Sequence, residues 1–232
     1  MHIPDGYLSP QTYIPLLGIF AGTALVAARK VKKETEARDV PYLGMAAASS
    51  FLIMMFNLPI PGGTTGHAVG AAAIAILFGP WSSVMAVSVA LIIQALIFGD
   101  GGITAIGANC FNIAVFMSFS AYFIFRFIAS HSAKKLRLTM AAFISGYVSL
   151  VLTALLTATE LGIQPLIASA PNGRALYCPY GLNVTIPAMV IEHLLIFGIF
   201  EGFITALVVR YFYKNDPGLI YAIRKEKRNE TQ

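Results

Sequence analysis

The sequence predicts an all-α membrane protein with seven transmembrane helices, on three observations. First, 57% of its 232 residues are hydrophobic and mean hydropathy is +0.72. Second, only 12% are charged, against about 25% in a soluble domain, so the chain cannot wet its own surface. Third, the apolar residues fall in long runs with basic clusters beside them. That placement accounts for the net charge of +5 through membrane-flanking loops, without a nucleic-acid partner.

In chain order the expected spans are Thr12–Ala28, Pro41–Phe56, His67–Phe78, Trp81–Phe98, Ile103–Ala129, Leu138–Glu160 and Val184–Tyr213. Each is long enough, or nearly so, to cross about 30 Å of hydrocarbon. The third is short, and only Gly79-Pro80 separates it from the fourth, so these two read as a tight hairpin. Basic residues cluster at Arg29–Lys33, Lys134–Arg137 and Arg224–Arg228. Seven crossings place all three clusters on one face, which the positive-inside rule makes cytoplasmic. The N-terminus is then outside and the C-terminus inside. One transmembrane substrate-binding domain, 1–214, is followed by a charged cytoplasmic tail, 215–232.

The outer side collects the unusual stretches: Met1–Ser9, Asn57–Gly66, Gly99–Gly102 and Leu161–Leu182. Dense glycine lets backbone approach closely. Irregular backbone near membrane depth survives only under protein or water. These loops are therefore expected to pack together as a lid.

The N-terminus, MHIPDG, carries the sharpest chemistry. Nothing basic precedes the first apolar run, so no signal peptide is expected, and the bulky His2 should keep Met1 in place. A free α-amine, the next amide nitrogen and the Nδ1 of a residue-two His can close two fused rings on one metal. That fills three corners of a nitrogen square, which suits Ni(II) or Cu(II). Of the four His, His131 sits among lysines on the cytoplasmic side, and His193 lies inside the seventh span. His67 opens the third span on the outer side, after a glycine-rich turn, and is the candidate fourth ligand. A lone outer-face His is more often simply solvated or hydrogen-bonded, and both readings stand at this point.

Asp5 can close a turn at Ile3-Pro4-Asp5-Gly6 or support the site. Asp100 and Asn109, with Asn112, can hydrogen-bond ligand imidazoles or cap helices. Glu192 and His193 can form an intramembrane pair or a structural hydrogen bond. Gln94 and Glu201 lie deep in the membrane. Cys110 and Cys178 form no motif, though they can pair. Small residues four apart, as at Gly18/Gly22, Gly44/Ala48, Ala154/Ala158 and Gly198/Gly202, are helix-contact chemistry. Gly-Lys, HExxH and GxSxG are all missing, so no nucleotide cradle or hydrolytic site is visible and the chain is not expected to be an enzyme. A stand-alone permease would need repeated halves and a polar path, and neither is evident.

MHIPDGYLSP and PGGTTGHAVG, residues 61–70, resemble the signature segments of the CbiM/NikM family. These are substrate-binding S-components of energy-coupling factor (ECF) importers for cobalt and nickel. The resemblance implies a planar metal site built by Met1, His2 and His67, and an extra N-terminal helix on a six-helix S-component core. It implies partners: a transmembrane coupling subunit, two ABC-type ATPases and a small membrane accessory subunit. It also implies residence in a prokaryotic plasma membrane and docking on the coupling subunit, with Gly44/Ala48 the candidate contact. Ni(II) is the expected cargo on planar-field grounds, Co(II) the alternative, and no cofactor is expected.

Overall fold

A computed structural model describes residues 1–35, 39–60, 64–129 and 135–221. His131, Gly62, Gly63, Lys134 and the cluster Arg224–Arg228 lie outside the described residues. Among those residues, five helices are long and apolar enough to cross a membrane. They are α1 (Pro10–Glu34), α4 (Pro80–Phe98), α5 (Ile106–Ala129), α6 (Lys135–Ile167) and α7 (Leu182–Asn215). Two shorter apolar helices complete the bundle, α2 (Val40–Met55) and α3 (Ala71–Phe78). The long helices match their predicted spans to within a few residues at each end, α5 starting three residues later than expected and α1 and α6 running further.

The third predicted span is corrected. Its first residues are neither helix nor strand, and helix begins only at Ala71, because Gly70 sits at φ 78° and breaks the turn. What remains is eight residues, about 12 Å of helix, too short to cross hydrocarbon alone. The seven residues Ala71–Leu77 are buried, so protein rather than lipid covers this half-helix. The expected hairpin holds: Gly79, at φ 90°, ends α3, and Pro80 starts α4 where its missing N–H costs nothing.

The stretch expected as a plain loop, Asn57–Gly66, contains a small hairpin. β1 (Leu58–Ile60) pairs antiparallel with β2 (Thr64–Gly66), in the register Leu58 to Gly66 and Ile60 to Thr64. It delivers the chain from the end of α2 down to His67.

α6 and α7 are packed closest. Gly202 lies against the Phe143 ring, Gly198 against Tyr147, and Gly146 against Thr205. A side chain at any of these would collide with its neighbour, so this pair of small residues serves packing within the chain. Ala154 and Ala158 are likewise fully buried. Gly18, Gly22 and Gly44 instead face open space. α1 lies on the outside of the bundle, with only Phe20 and Ala27 buried. It touches the body where Gly107 abuts the backbone of Leu17.

Candidate metal centre

Residues 1–9 fold back into one end of the bundle. Met1 and Ile3 are fully buried, and His2 is only 4% exposed. This is unusual for a chain end, which normally frays. Each residue is anchored in turn. The Met1 amine donates to the Thr65 carbonyl, and Thr64 Oγ1 donates to the His2 carbonyl (3.0 Å). Ile3 N–H donates to Asn109 Oδ1 (2.8 Å), and Asn109 Nδ2 returns a bond to the Ile3 carbonyl (3.0 Å). Gly102 N–H adds a second bond to that carbonyl (2.8 Å). Further along, Cys178 N–H donates to the Tyr7 carbonyl (3.1 Å) and Ser9 N–H to Gln164 Oε1 (2.9 Å). Among the described residues no hydrogen bond is donated by the His2 amide, the one nitrogen a chelate would deprotonate. The expected lid is thus real packing: residues 1–9, β2, the 99–105 loop and the Cys178 loop meet around the terminus.

His2 and His67 stack with centroids 4.6 Å apart and planes inclined by 25°. His67 is completely buried, and its Nδ1 lies 3.1 Å from the Ala68 carbonyl. A carbonyl only accepts, so Nδ1 carries the proton and Nε2 presents a bare lone pair with no partner. His2 Nδ1 lies 3.1 Å from Asp100 Oδ1, and Asn57 Nδ2 donates to Asp100 Oδ2 (3.2 Å). A chelate through Nδ1 would exchange this carboxylate contact for the ion.

Burial sets the protonation. It pushes the Met1 amine from near 8 down to about 4, against the pull of Asp100 and Glu192. His2 is lowered by burial despite its hydrogen bond to Asp100. His67 falls well below the usual imidazole range through burial, then through the neighbouring amine and His2. Burial opposes the charge on Asp100, but His2 and the amine outweigh it and hold the carboxyl below its usual range. Amine and imidazoles are therefore neutral donors at neutral pH, beside one carboxylate.

The other expected residues are placed differently. Asp5 sits in a turn with Gly6, as expected, but its side chain reaches out of it. Its carboxylate accepts from Thr104 Oγ1 (2.5 Å), Thr104 N–H (2.8 Å) and Ile103 N–H (3.0 Å), which holds its pKa down and clasps the terminus to the loop after α4. Asn109 serves the Ile3 backbone, not an imidazole. Asn112 points away, to Glu160 Oε2 (2.7 Å). His193 is buried with Nδ1 on the Met189 carbonyl (2.7 Å) and Nε2 unpartnered, and Glu192 is not its partner. Cys110 and Cys178 are both buried and free. Among the described residues no three His, Cys, Asp or Glu group as a metal site. Sequence reasoning missed Thr64 and Thr65, though TTG immediately before His67 signalled a strand.

Comparison with known proteins identifies the family. The sequence model of a family described as the cobalt uptake substrate-specific transmembrane region, CbiM, matches residues 2–219. The chain is 48% identical over 223 residues to a probable fused nickel transport protein, LarMN, of Lactiplantibacillus plantarum, covering 95% of this chain and 67% of that one. It is 46% identical over 222 residues to the fused nickel transport protein NikMN of Rhodobacter capsulatus, covering 95% and 64%. It therefore spans about two thirds of these fused relatives. A crystal structure of a truncated transition metal transporter superposes with a TM-score of 0.89 at 49% identity, covering 93% of this chain and 99% of that one. This chain is a multi-pass membrane protein of a metal-transport family: it belongs to the CbiM family.

Proposed function

We propose that this chain is the substrate-specific S-component of an ATP-driven ECF-type nickel importer, and that it takes Ni(II) into a square of nitrogens. The ligands are the Met1 amine, the His2 amide, His2 Nδ1 and His67 Nε2. The observation that carries this reading is the buried terminus: a neutral amine, an amide with no hydrogen bond to give and two neutral imidazoles lie together beside one carboxylate. Ni(II) promotes loss of an amide proton and favours a planar nitrogen field. With the amide ionised, its charge and that of Asp100 balance the dication, so a neutral cluster enters the low-dielectric site.

The seven apolar helices form the membrane-embedded bundle, with the short α3 sunk into it as a half-helix, the N-terminus outside and the C-terminus in the cytoplasm. They form one substrate domain, 1–214, with α1 as the extra helix on a six-helix core and 215–232 as the tail. Energy comes from partners: a coupling subunit, two ABC-type ATPases and a small membrane accessory subunit, in a prokaryotic plasma membrane. The lack of any Gly-Lys nucleotide cradle in the sequence supports this division of labour. Co(II) is the alternative cargo, favoured by the family description. The test is absorption spectroscopy with added nickel. The wild-type chain gives a yellow, diamagnetic complex, and His67→Ala loses affinity by on the order of 100-fold or more. A green, paramagnetic complex indifferent to His67→Ala contradicts the proposal.

A further inference from the structure

Glu201 is a completely buried carboxylate on α7, and among the described residues it has no cationic partner. Its oxygens take main-chain N–H groups instead. Oε2 accepts from Val69 (2.8 Å) and Gly70 (2.8 Å), and Oε1 accepts from Gly70 (3.1 Å). These are the residues just past His67, where the chain is neither strand nor helix.

One peptide unit links the two side chains. The Val69 N–H held by Glu201 belongs to the same planar group as the Ala68 carbonyl, and that carbonyl holds His67 Nδ1. Fixing one end of the plane fixes the other. The next peptide unit is pinned at both ends as well: Ser50 Oγ on α2 donates to the Val69 carbonyl (2.8 Å), and Gly70 N–H is on Glu201. A carboxylate that directly orients a ligating His sets its tautomer and ring plane. Here the same arrangement runs through an interposed peptide.

We infer that Glu201 is the positioning residue for His67: through the Ala68–Val69 peptide it locks the imidazole with Nδ1 protonated and Nε2 free for the metal. This rests on the proposed nickel site. It also makes the fourth ligand answer to α7, a helix distant in sequence.

The experiment titrates Ni(II) into the full chain in lipid nanodiscs and compares wild type with Glu201→Gln, Glu201→Asp, Glu201→Ala and His67→Ala. Gln has the reach but one acceptor fewer, whereas Asp keeps the charge and loses a methylene of reach. Positioning therefore predicts wild type, then Gln, then Asp and Ala. The weakest binds about 10- to 100-fold less tightly. As binding weakens, the nickel band should move to lower energy toward that of His67→Ala, because an oxygen replaces the fourth nitrogen. A lowered melting temperature with unchanged band and affinity makes Glu201 structural and overturns the inference. Asp outperforming Gln assigns the effect to charge and also overturns it. Wild type with no planar band at all removes the nickel site itself, and the inference with it, an outcome distinct from normal bands in every Glu201 variant.

Discussion

Residues 1–9 and helix α1 are neighbours in sequence and opposites in setting. In the first nine residues Met1, His2, Ile3, Leu8 and Ser9 are all buried. In the 25 residues that follow, only Phe20 and Ala27 are. Leu25 is 63% exposed and Ile14 57%. The terminus is held by directed hydrogen bonds to β2, α5 and the loops, whereas α1 is held by contact along one side and by lipid on the rest. A hydrophobic helix in hydrocarbon gains little from protein contact, since lipid tails are as apolar as leucine. A polar terminus buried inside protein has no such freedom and must be satisfied atom by atom. The comparison therefore separates a tether, α1, from the working part it holds in place.

The largest effect should follow from breaking the polar side of this contrast. Asn109→Ala strips two bonds from Ile3 and leaves its buried N–H unpaired, at about 1–3 kcal/mol for such a group. We expect thermal unfolding in detergent at lower temperature, together with weaker nickel binding, because the amine and His2 amide ride on that anchor. Nickel affinity equal to wild type would show that the anchor does not set the site.

A second effect sharpens the contrast by asking what burial does to the amine. In a free Met-His peptide the amine titrates near 8, so binding Ni(II) at pH 7 sheds the amine and amide protons, about two in all. In the folded chain the amine is already neutral down to about 4 and both imidazoles are lowered, so only the amide proton should leave. Calorimetry in buffers of different ionisation enthalpy should report about one proton per nickel at pH 7. Affinity should then fall about tenfold per pH unit below pH 7, and more steeply once the imidazoles and then the amine take up protons. Release of two protons would mean the terminus is not buried when it binds.

The smallest effect belongs to the helix. Leu25→Ala, on the lipid face of α1, should change stability by less than about 0.5 kcal/mol and leave nickel affinity unchanged. A measurable loss of affinity would show that α1 is more than a tether.

Much of this was legible in the sequence, for identifiable reasons. The long spans were readable because hydrocarbon demands long apolar runs, and MHIPDG suggested a chelate because residue-two geometry depends on covalent spacing alone. Proximity of His67 to His2 was readable only as shared sidedness. The sequence did not disclose that the first four residues of His67–Phe78 are not helical, since Gly70 reads the same inside a transmembrane helix as at its break. Nor did it disclose the π-helical turns at Gln94–Phe98, Cys110–Phe116 and His193–Phe197, which leave hydropathy unaltered. The roles of Asn109 and Glu201 depend on main-chain groups far away in sequence, to which no motif points.

The most direct test adds one residue ahead of Met1 and compares nickel content and spectrum with the native chain. The extension turns the Met1 amine into a peptide amide and moves the new amine off the fused chelate, while removing no side chain. We predict loss of the yellow, diamagnetic complex and of stoichiometric nickel, with the metal-free extended chain still folded by circular dichroism. An extended chain that still binds one nickel with the native spectrum would contradict the claim that the first nitrogen of the polypeptide is a ligand.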